Sequence, residues 1–560
     1  MSIPRWRSLQ NVLAGFLAGF VAGSLVCTAL GAQAQPTSLP TPQEYKPFKA
    51  SVLALQPLHI RNADTPVADL VCPRKGPTPS RSNSSNSPKR ASTTPAEPTE
   101  IPDDDEVEQA LKDALKEALK EAEETSKEAS KEGKAQNKAL LPSGTGTNST
   151  LARTGTLRPI NSGPWRIAIW GDSHMAAAFF SDQLLRQLTV PAGPNTVSSR
   201  FVNAGVGHGG VRALVRKTCL SGDWGREVAY AHPDAAAAPG PGMTSLVAKR
   251  PGATLALDLR DAQGQVRHTR LQLLHHGDPS GPTRLAISVD GEAETLVTLT
   301  HMASQAGPSA LALSTDAPMS TLQIRVVEGP FRFQGLKLAN AATTTTDSNA
   351  NTATPALHLD LFAYPGATVA GWVRSDLPYL AAWFTDQPYD VGLIAFGTNE
   401  GNDPRFNEAA YRDTLSKALG HFRQVFPQTQ CVLIGPGDRG IRVAKPKVRP
   451  TKSKAAKSTK GSKNSKAAQP SAKVPASTPS ANLLKYSRIH AQIGQIQAEL
   501  AAQYGCQAWS MQSAMGGAGS AYTWTRKSPA LMAPDLIHFT PAGYRELANR
   551  FMADFGLTAP

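Results

Sequence analysis

Cysteine is scarce: five residues in a chain of 560. That excludes a disulfide-dense scaffold, in which bridges replace a hydrophobic core. Aromatic residues reach only 6% and charged residues 18%. Beyond the N-terminus no apolar run is long enough to span a bilayer. The formal net charge is +14, but 443–480 holds nine Lys and one Arg with no acid. Outside that stretch the balance is about +4. This excludes a strongly basic nucleic-acid binder, so no nucleic-acid partner is expected. What is abundant is Gly and Pro, 45 and 44 residues, together with 40% hydrophobic residues. Such a chain has material for a core and long stretches that do not contribute to one.

The N-terminus has the layout of an export signal. Arg5 and Arg7 are followed by an apolar run from Val12 to about Leu30 and by Ala32-Gln33-Ala34. Residues 1–34 are therefore expected to be a signal peptide, the alternative being an uncleaved membrane anchor. Cys27 follows Val26, where a lipoprotein signal needs a small residue, so lipidation is not expected. The expected location is the periplasm or cell envelope. Cys72, Cys219, Cys431 and Cys506 remain, an even number that permits disulfides in an exported chain. Cys431 and Cys506 each open an apolar run. They are candidates for a bridge between neighbouring strands, or for two buried thiols.

Residues 35–160 read as a low-complexity tether. It is Pro-rich at first and Ser/Thr/Pro/Arg-rich over 75–98. A charged helix is expected near 103–134, with Val107, Leu111, Leu115 and Leu119 four apart. Folded sequence starts in 161–220 with the strand Trp165–Trp170, the turn Gly171-Asp172-Ser173-His174 and a helix over Met175–Leu188. Residues 221–340 show short alternating runs at 254–259, 269–274, 284–289, 294–299, 310–313 and 322–327, bounded by Gly, Pro or Asp. They predict an inserted all-β sandwich. A Thr/Asn linker covers 341–355.

Strand–helix alternation resumes over 356–442 and again over 482–560. Strands are expected at 357–362, 390–396, 431–434 and 506–509. Helices are expected at 408–425, 483–504 and 541–555, the last with Thr540 as N-cap and Pro541 at its first position. The fold class is α/β, a mainly parallel sheet covered by helices. The Lys-rich insertion 443–481 is either a solvated loop or a contact for anionic cell-wall polymer or membrane surface.

Three short segments carry chemistry. Ser173 stands where a strand becomes a helix, beside free helix N–H groups. A serine there is a nucleophile only if a base takes its proton; otherwise it is an N-cap. Asp535 lies three residues before His538, close enough to bond one ring nitrogen and leave the other for a serine. Asn399, in Gly397-Thr398-Asn399-Glu400 after a buried strand, can donate to a developing oxyanion. Each alone is ordinary. Together, each at the expected carboxyl end of a strand, they are not. His208, His275 and His276 have no convincing ligand set, so no metal or other cofactor is expected.

Gly171-Asp172-Ser173, Gly397-Thr398-Asn399 and Asp535-x-x-His538 resemble blocks I, III and V of the SGNH (GDSL-like) hydrolases. The resemblance implies a flavodoxin-like three-layer α/β/α fold. It implies a Ser173, His538 and Asp535 triad, and an oxyanion hole from Ser173, a block II glycine and Asn399. Two segments compete for block II: Gly366, in Tyr364-Pro365-Gly366-Ala367, and the loop Gly205–Gly210. Gly366 is preferred because it follows a strand-like run and its distance to Asn399 fits. Gly-Asp-Ser-His-Met, Gly366-Ala367, Gly-Thr-Asn-Glu, 509–517, His538-Phe539-Thr540 and Gly543-Tyr544 further resemble bacterial peptidoglycan O-acetylesterases. Those enzymes carry a carbohydrate-binding-module-like β-domain between blocks I and II. The resemblance spans Trp165 to Phe555. It implies a serine esterase acting on an O-acetylated glycan such as peptidoglycan, through an acetyl-serine. Two alternatives stay open: an O-acetyltransferase using the same triad, and a glycan-binding scaffold.

Overall fold

The computed structural model describes residues 49–72, Leu157, 165–339, 357–442 and 481–557, with short interruptions. The expected signal peptide 1–34, the charged helix 103–134, the linker 341–355 and the Lys-rich stretch 443–480 lie outside the described residues.

Trp165–Gly171, Leu357–Ala363, Val391–Ala395, Gln430–Gly435 and Gln507–Ser510 form a parallel sheet, with the two-residue strand Val197–Ser198 at one edge. Numbered in chain order, the five longer strands lie 2-1-3-4-5. This is the doubly wound order of flavodoxin, which leaves a crevice where the order reverses. Alternation along the strands builds the two faces. Ala168, Trp170, Phe362, Ile394 and Leu433 face the helices Glu408–Val425 and Lys485–Gln503. Ile167, Ile169, Leu361, Leu393 and Ile434 face the helices Phe179–Thr189 and Pro541–Asp554. The helix expected over Met175–Leu188 is broken. Ser173–Ala176 forms one short helix, Ala178 has φ +64°, and Phe179–Thr189 forms the next.

The intervening chain builds two further sheets. One runs Ala54–Ile60, Gly307–Thr315, Arg270–Gly277, Arg332–Ala339, Thr244–Ala248, Trp224–Val228, with Phe201–Asn203 also on Arg332–Ala339. The other runs Thr295–Leu299, Thr283–Val289, Thr321–Glu328, Thr254–Asp258, Lys217–Leu220. Leu246, Leu273, Leu311 and Phe333 of the first share one buried cluster with Leu255, Leu285, Ile287 and Ile324 of the second.

Two boundaries differ from expectation. The β sheets take strands from outside 221–340, at 201–203 and 217–220. The tether over 35–160 is not all tether, since Ala54–Ile60 pairs along its full length with Gly307–Thr315. Its burial alternates, but Pro57 masks the pattern in sequence, and an edge strand tolerates that proline. Cys72 then bonds Cys219, 147 residues away. Cys431 and Cys506 are bridged between the adjacent strands Gln430–Gly435 and Gln507–Ser510.

The first bridge holds the N-terminal segment to the sheets. The double variant Cys72→Ser, Cys219→Ser is expected to lose about 2–5 kcal/mol of stability. Hydrogen exchange is expected to show lost protection in 54–60 before the parallel sheet. Unchanged protection there would show that strand pairing alone suffices.

Candidate active site

The site grows from the end of the first parallel strand. Gly171 lets three segments converge. A Cβ there would stand 2.8 Å from Met175 Cγ and 3.0 Å from Ala395 O. Asp172 caps the short helix, its carboxylate accepting the His174 N–H at 2.9 Å. Burial pushes the Asp172 carboxyl up to about 6, against the pull of the His174 N–H, Thr398 and His538. Ser173 is the first helical residue and is 5% exposed. Beneath it Trp170 packs on Phe362, Trp372, Phe384, Tyr389, Phe422 and Phe426, which gives the strand end a rigid floor.

His538 comes from the loop before the last helix. Asp535 Oδ1 accepts the N–H groups of Ile537 and His538 at 2.9 and 3.0 Å, a local turn that places Leu536 at φ +62°. Asp535 Oδ2 stands 2.7 Å from His538 Nδ1. Burial alone would raise the Asp535 carboxyl, but the His538 hydrogen bond, its charge and the two N–H groups outweigh burial. They hold it below the usual carboxylate range. The proton is thereby placed on Nδ1, and Nε2 is left as an acceptor. Nε2 lies 3.0 Å from Ser173 Oγ. The loop is fixed by Ala533 N–H to His538 O, by Gly440 N–H to Leu536 O, and by Thr540, which caps the Pro541–Asp554 helix.

Ser173, His538 and Asp535, far apart in sequence, therefore form one hydrogen-bonded line. His174 backs it. Its ring is 5.4 Å from that of His538, and its Nδ1 is 3.2 Å from Tyr544 Oη. Burial, with His538 nearby, holds His174 well below the ordinary histidine range, so the ring stays neutral.

Asn399 and Gly366 are also brought together. Asn399 Nδ2 donates to Ala367 O at 2.9 Å. An amide nitrogen carries two hydrogens, so one remains for another acceptor. Gly366 has φ +79° in the turn after Leu357–Ala363, and Tyr364 N–H bonds Gly171 O at 3.0 Å. The competing Gly205–Gly210 loop follows Phe201–Asn203, a strand of the β sheets rather than the parallel one. Gly205 N–H is already bonded to Asn203 Oδ1 and Gly210 N–H to His208 Nδ1. Arg226 holds the carbonyls of Ala204 and Val206, and His208 packs on Tyr364. That loop braces the Gly366 turn. His275 and His276 lie in a β strand away from the line, His276 against Tyr379.

Glu400 is a residue to which sequence reasoning assigned no role. Its Oε1 accepts Val369 N–H at 2.9 Å and its Oε2 accepts Gly397 N–H at 3.0 Å. One carboxylate thus ties the Gly366 turn to the Asn399 turn. Burial pushes it up to about 7, with Asp172 adding to the rise, against the backbone N–H bonds. The sequence signal was its place in Gly397-Thr398-Asn399-Glu400, a stretch quoted for the resemblance without a role for the acid. Among the described residues, no group of three or more His, Cys, Asp or Glu is placed to hold a metal ion.

No protein-family model and no curated protein sequence matches the chain. Solved structures do show likenesses. A peptidoglycan O-acetylesterase structure aligns at 18% identity and TM-score 0.47, over 70% of this chain and 91% of that one. A GDSL-like lipase from Parabacteroides merdae aligns at 15% identity and TM-score 0.23, over 36% and 73%. A family two carbohydrate esterase from Cellvibrio japonicus aligns at 12% identity and TM-score 0.21, over 61% and 98%. The solved structures to which the chain is similar thus include GDSL-like and carbohydrate esterases.

Proposed function

We propose that this chain is a serine esterase of the SGNH type that removes O-acetyl groups from peptidoglycan or a related envelope glycan. The observation that carries it is the line from Asp535 through His538 to Ser173 Oγ, with spacings of 2.7 and 3.0 Å. Ser173 Oγ attacks the acetyl carbonyl carbon while His538 Nε2 takes its proton. The negative charge that develops on the carbonyl oxygen falls to the N–H groups of Ser173 and Gly366 and the free Asn399 N–H. The tetrahedral intermediate collapses, and His538 returns the proton to the departing sugar oxygen. Water, deprotonated by His538, then attacks the acetyl-serine. Acetate leaves and Ser173 regains its proton. The motif resemblance supports the acetyl group and the glycan, and the two disulfides fit an exported chain.

The test is acetate release from O-acetylated peptidoglycan and from acetylated xylan, each with and without a free acceptor sugar. Release from peptidoglycan, insensitive to acceptor, supports the reading. Acetyl groups found on the acceptor would identify a transferase instead. No release from either polymer sinks the glycan esterase.

Glu400 acts here as a positioning residue for the oxyanion donors. Glu400→Gln keeps one acceptor for two N–H groups and is expected to lower kcat about tenfold with little change in KM. Its stability effect has a definite sign. A carboxyl raised to about 7 when folded binds its proton more tightly folded than unfolded. Its stabilising contribution is full below the unfolded value and is lost as pH rises toward 7. The melting temperature of the variant, relative to wild type, is therefore expected to be higher at pH 8 than at pH 5. An equal difference at both would show that Glu400 does not titrate in that range.

A further inference from the structure

We propose that Arg439 binds an anionic group on the substrate, a carboxylate borne by the acetylated sugar or its neighbour. This deepens the esterase reading and rests on it.

The segment Pro436–Gly440 leaves the carboxyl end of Gln430–Gly435, beside the turn that carries Asn399. Arg439 reaches sideways from it. One guanidinium nitrogen donates to Asn402 Oδ1, in the turn that follows Asn399. The guanidinium carbon sits 4.0 Å from the ring centroid of Tyr486. On the other side, Gly440 N–H bonds Leu536 O, within the Asp535–His538 loop. Arg439 is therefore held between the two segments that supply Asn399 and His538.

No ion pair answers its charge there. Two carboxylates are near, and both are engaged elsewhere. Asp438 points inward to Ser487 Oγ, to Gln512 Nε2 at 2.8 Å and to Ala521 N–H at 2.8 Å. Asp535 is bound to His538 Nδ1, His538 N–H and Ile537 N–H. The charge of Asp535 still reaches Arg439, but among the described residues Arg439 forms no ion pair, and its Nε is buried without a hydrogen-bond partner. A half-buried cation without a direct ion pair is costly to keep. Stacking on Tyr486 and the bond to Asn402 fix its plane, and only the more distant charge of Asp535 offsets its own. A planar guanidinium in that state matches the two oxygens of a carboxylate. A glycan lying over Ser173 with an acidic substituent toward the Asn402 side would meet it.

The experiment uses a matched pair of substrates: acetylated oligogalacturonate and the same oligomer with its carboxylates methyl-esterified. Wild-type kcat/KM is expected to favour the acid about tenfold, the scale of one hydrogen-bonded charge pair. Arg439→Gln is expected to collapse that ratio toward one, and Arg439→Lys to keep part of it. Equal values in wild type, or an unchanged ratio in Arg439→Gln, would overturn the proposal. Because Arg439→Gln can lose folding, a second measurement uses the Ser173→Ala protein, titrated calorimetrically with deacetylated acid and methyl-ester oligomers. Tighter binding of the acid supports the site, and equal binding overturns it. Preferential binding of the acid by a wild-type protein that cleaves no acetyl ester would sink the esterase reading alone. Equal cleavage of both esters would sink the Arg439 site alone.

Discussion

Ser173→Ala is expected to lower kcat for acetyl esters by about four to six orders of magnitude. Only the hydroxyl is lost. The backbone N–H proposed as an oxyanion donor stays, as do the N–H groups of Gly366 and Asn399. Some acceleration over water should therefore survive, because the donors still stabilise a tetrahedral species formed by water. The fold should survive too. Ser173 caps nothing, because Asp172 is the helix cap, and alanine fits the same small buried space. Thermal unfolding is the control, with a stability change expected within about 0.5 kcal/mol. The assays are 4-nitrophenyl acetate hydrolysis and acetate release from O-acetylated peptidoglycan. Wild-type turnover in the variant would remove Ser173 from the reaction and the esterase reading with it.

The parts of this molecule that were legible in sequence share a physical cause. Strands buried on both faces need unbroken apolar runs, so Val391–Ala395 and Gln430–Gly435 announce themselves. Helices with one buried face need periodic apolar residues. Ile493, Ile496 and Leu500 mark the helix Lys485–Gln503, and the helix Glu408–Val425 forms over its expected span. A parallel sheet also orders its chain simply, so motifs at successive strand ends must converge on one edge. That is why Ser173, Asn399 and His538 could be chosen before their distances were known.

What was not legible depends on partners remote in the chain. Ala54–Ile60 is a strand because Gly307–Thr315 offers an edge, and nothing within seven residues containing Pro57 says so. Cys72 bonds Cys219 147 residues away, a pairing no local pattern announces. Arg332–Ala339 was missed for another reason. Gly335 at φ +128° and a register shift between Phe333 and Gly335 break the alternation by which a strand is read. The choice between Gly366 and the Gly205–Gly210 loop turns on which sheet each follows, and composition is silent on that. The roles of Glu400 and Arg439 were not legible until burial and bonding gave one two N–H groups to hold and left the other without an ion pair.

Asp535→Asn is the second large effect, expected at about three to four orders of magnitude in kcat. Asp535 does two things at once. Its Oδ2 sets the proton on His538 Nδ1 and faces the positive ring formed when Nε2 takes the serine proton. Its Oδ1 accepts two backbone N–H groups that shape the loop. An asparagine must choose. With its oxygen toward the backbone, its NH2 faces Nδ1 and favours the tautomer whose Nε2 carries hydrogen and cannot act as base. With its oxygen toward Nδ1, its NH2 faces two N–H donors and the turn at Leu536 loses its acceptor. Either arrangement cuts turnover, and the two are separable. The first lowers the melting temperature less than the second, which also loses the turn. The pH dependence gives a further check. A carboxyl held below its unfolded value contributes stability that is present above the unfolded value and is lost as pH falls through the folded one. The variant has no such group, so its stability deficit relative to wild type is expected to shrink toward acid pH. Turnover within tenfold of wild type in Asp535→Asn would show that His538 is oriented without its carboxylate. The reaction would then rest on the Ser173–His538 pair and the oxyanion donors alone.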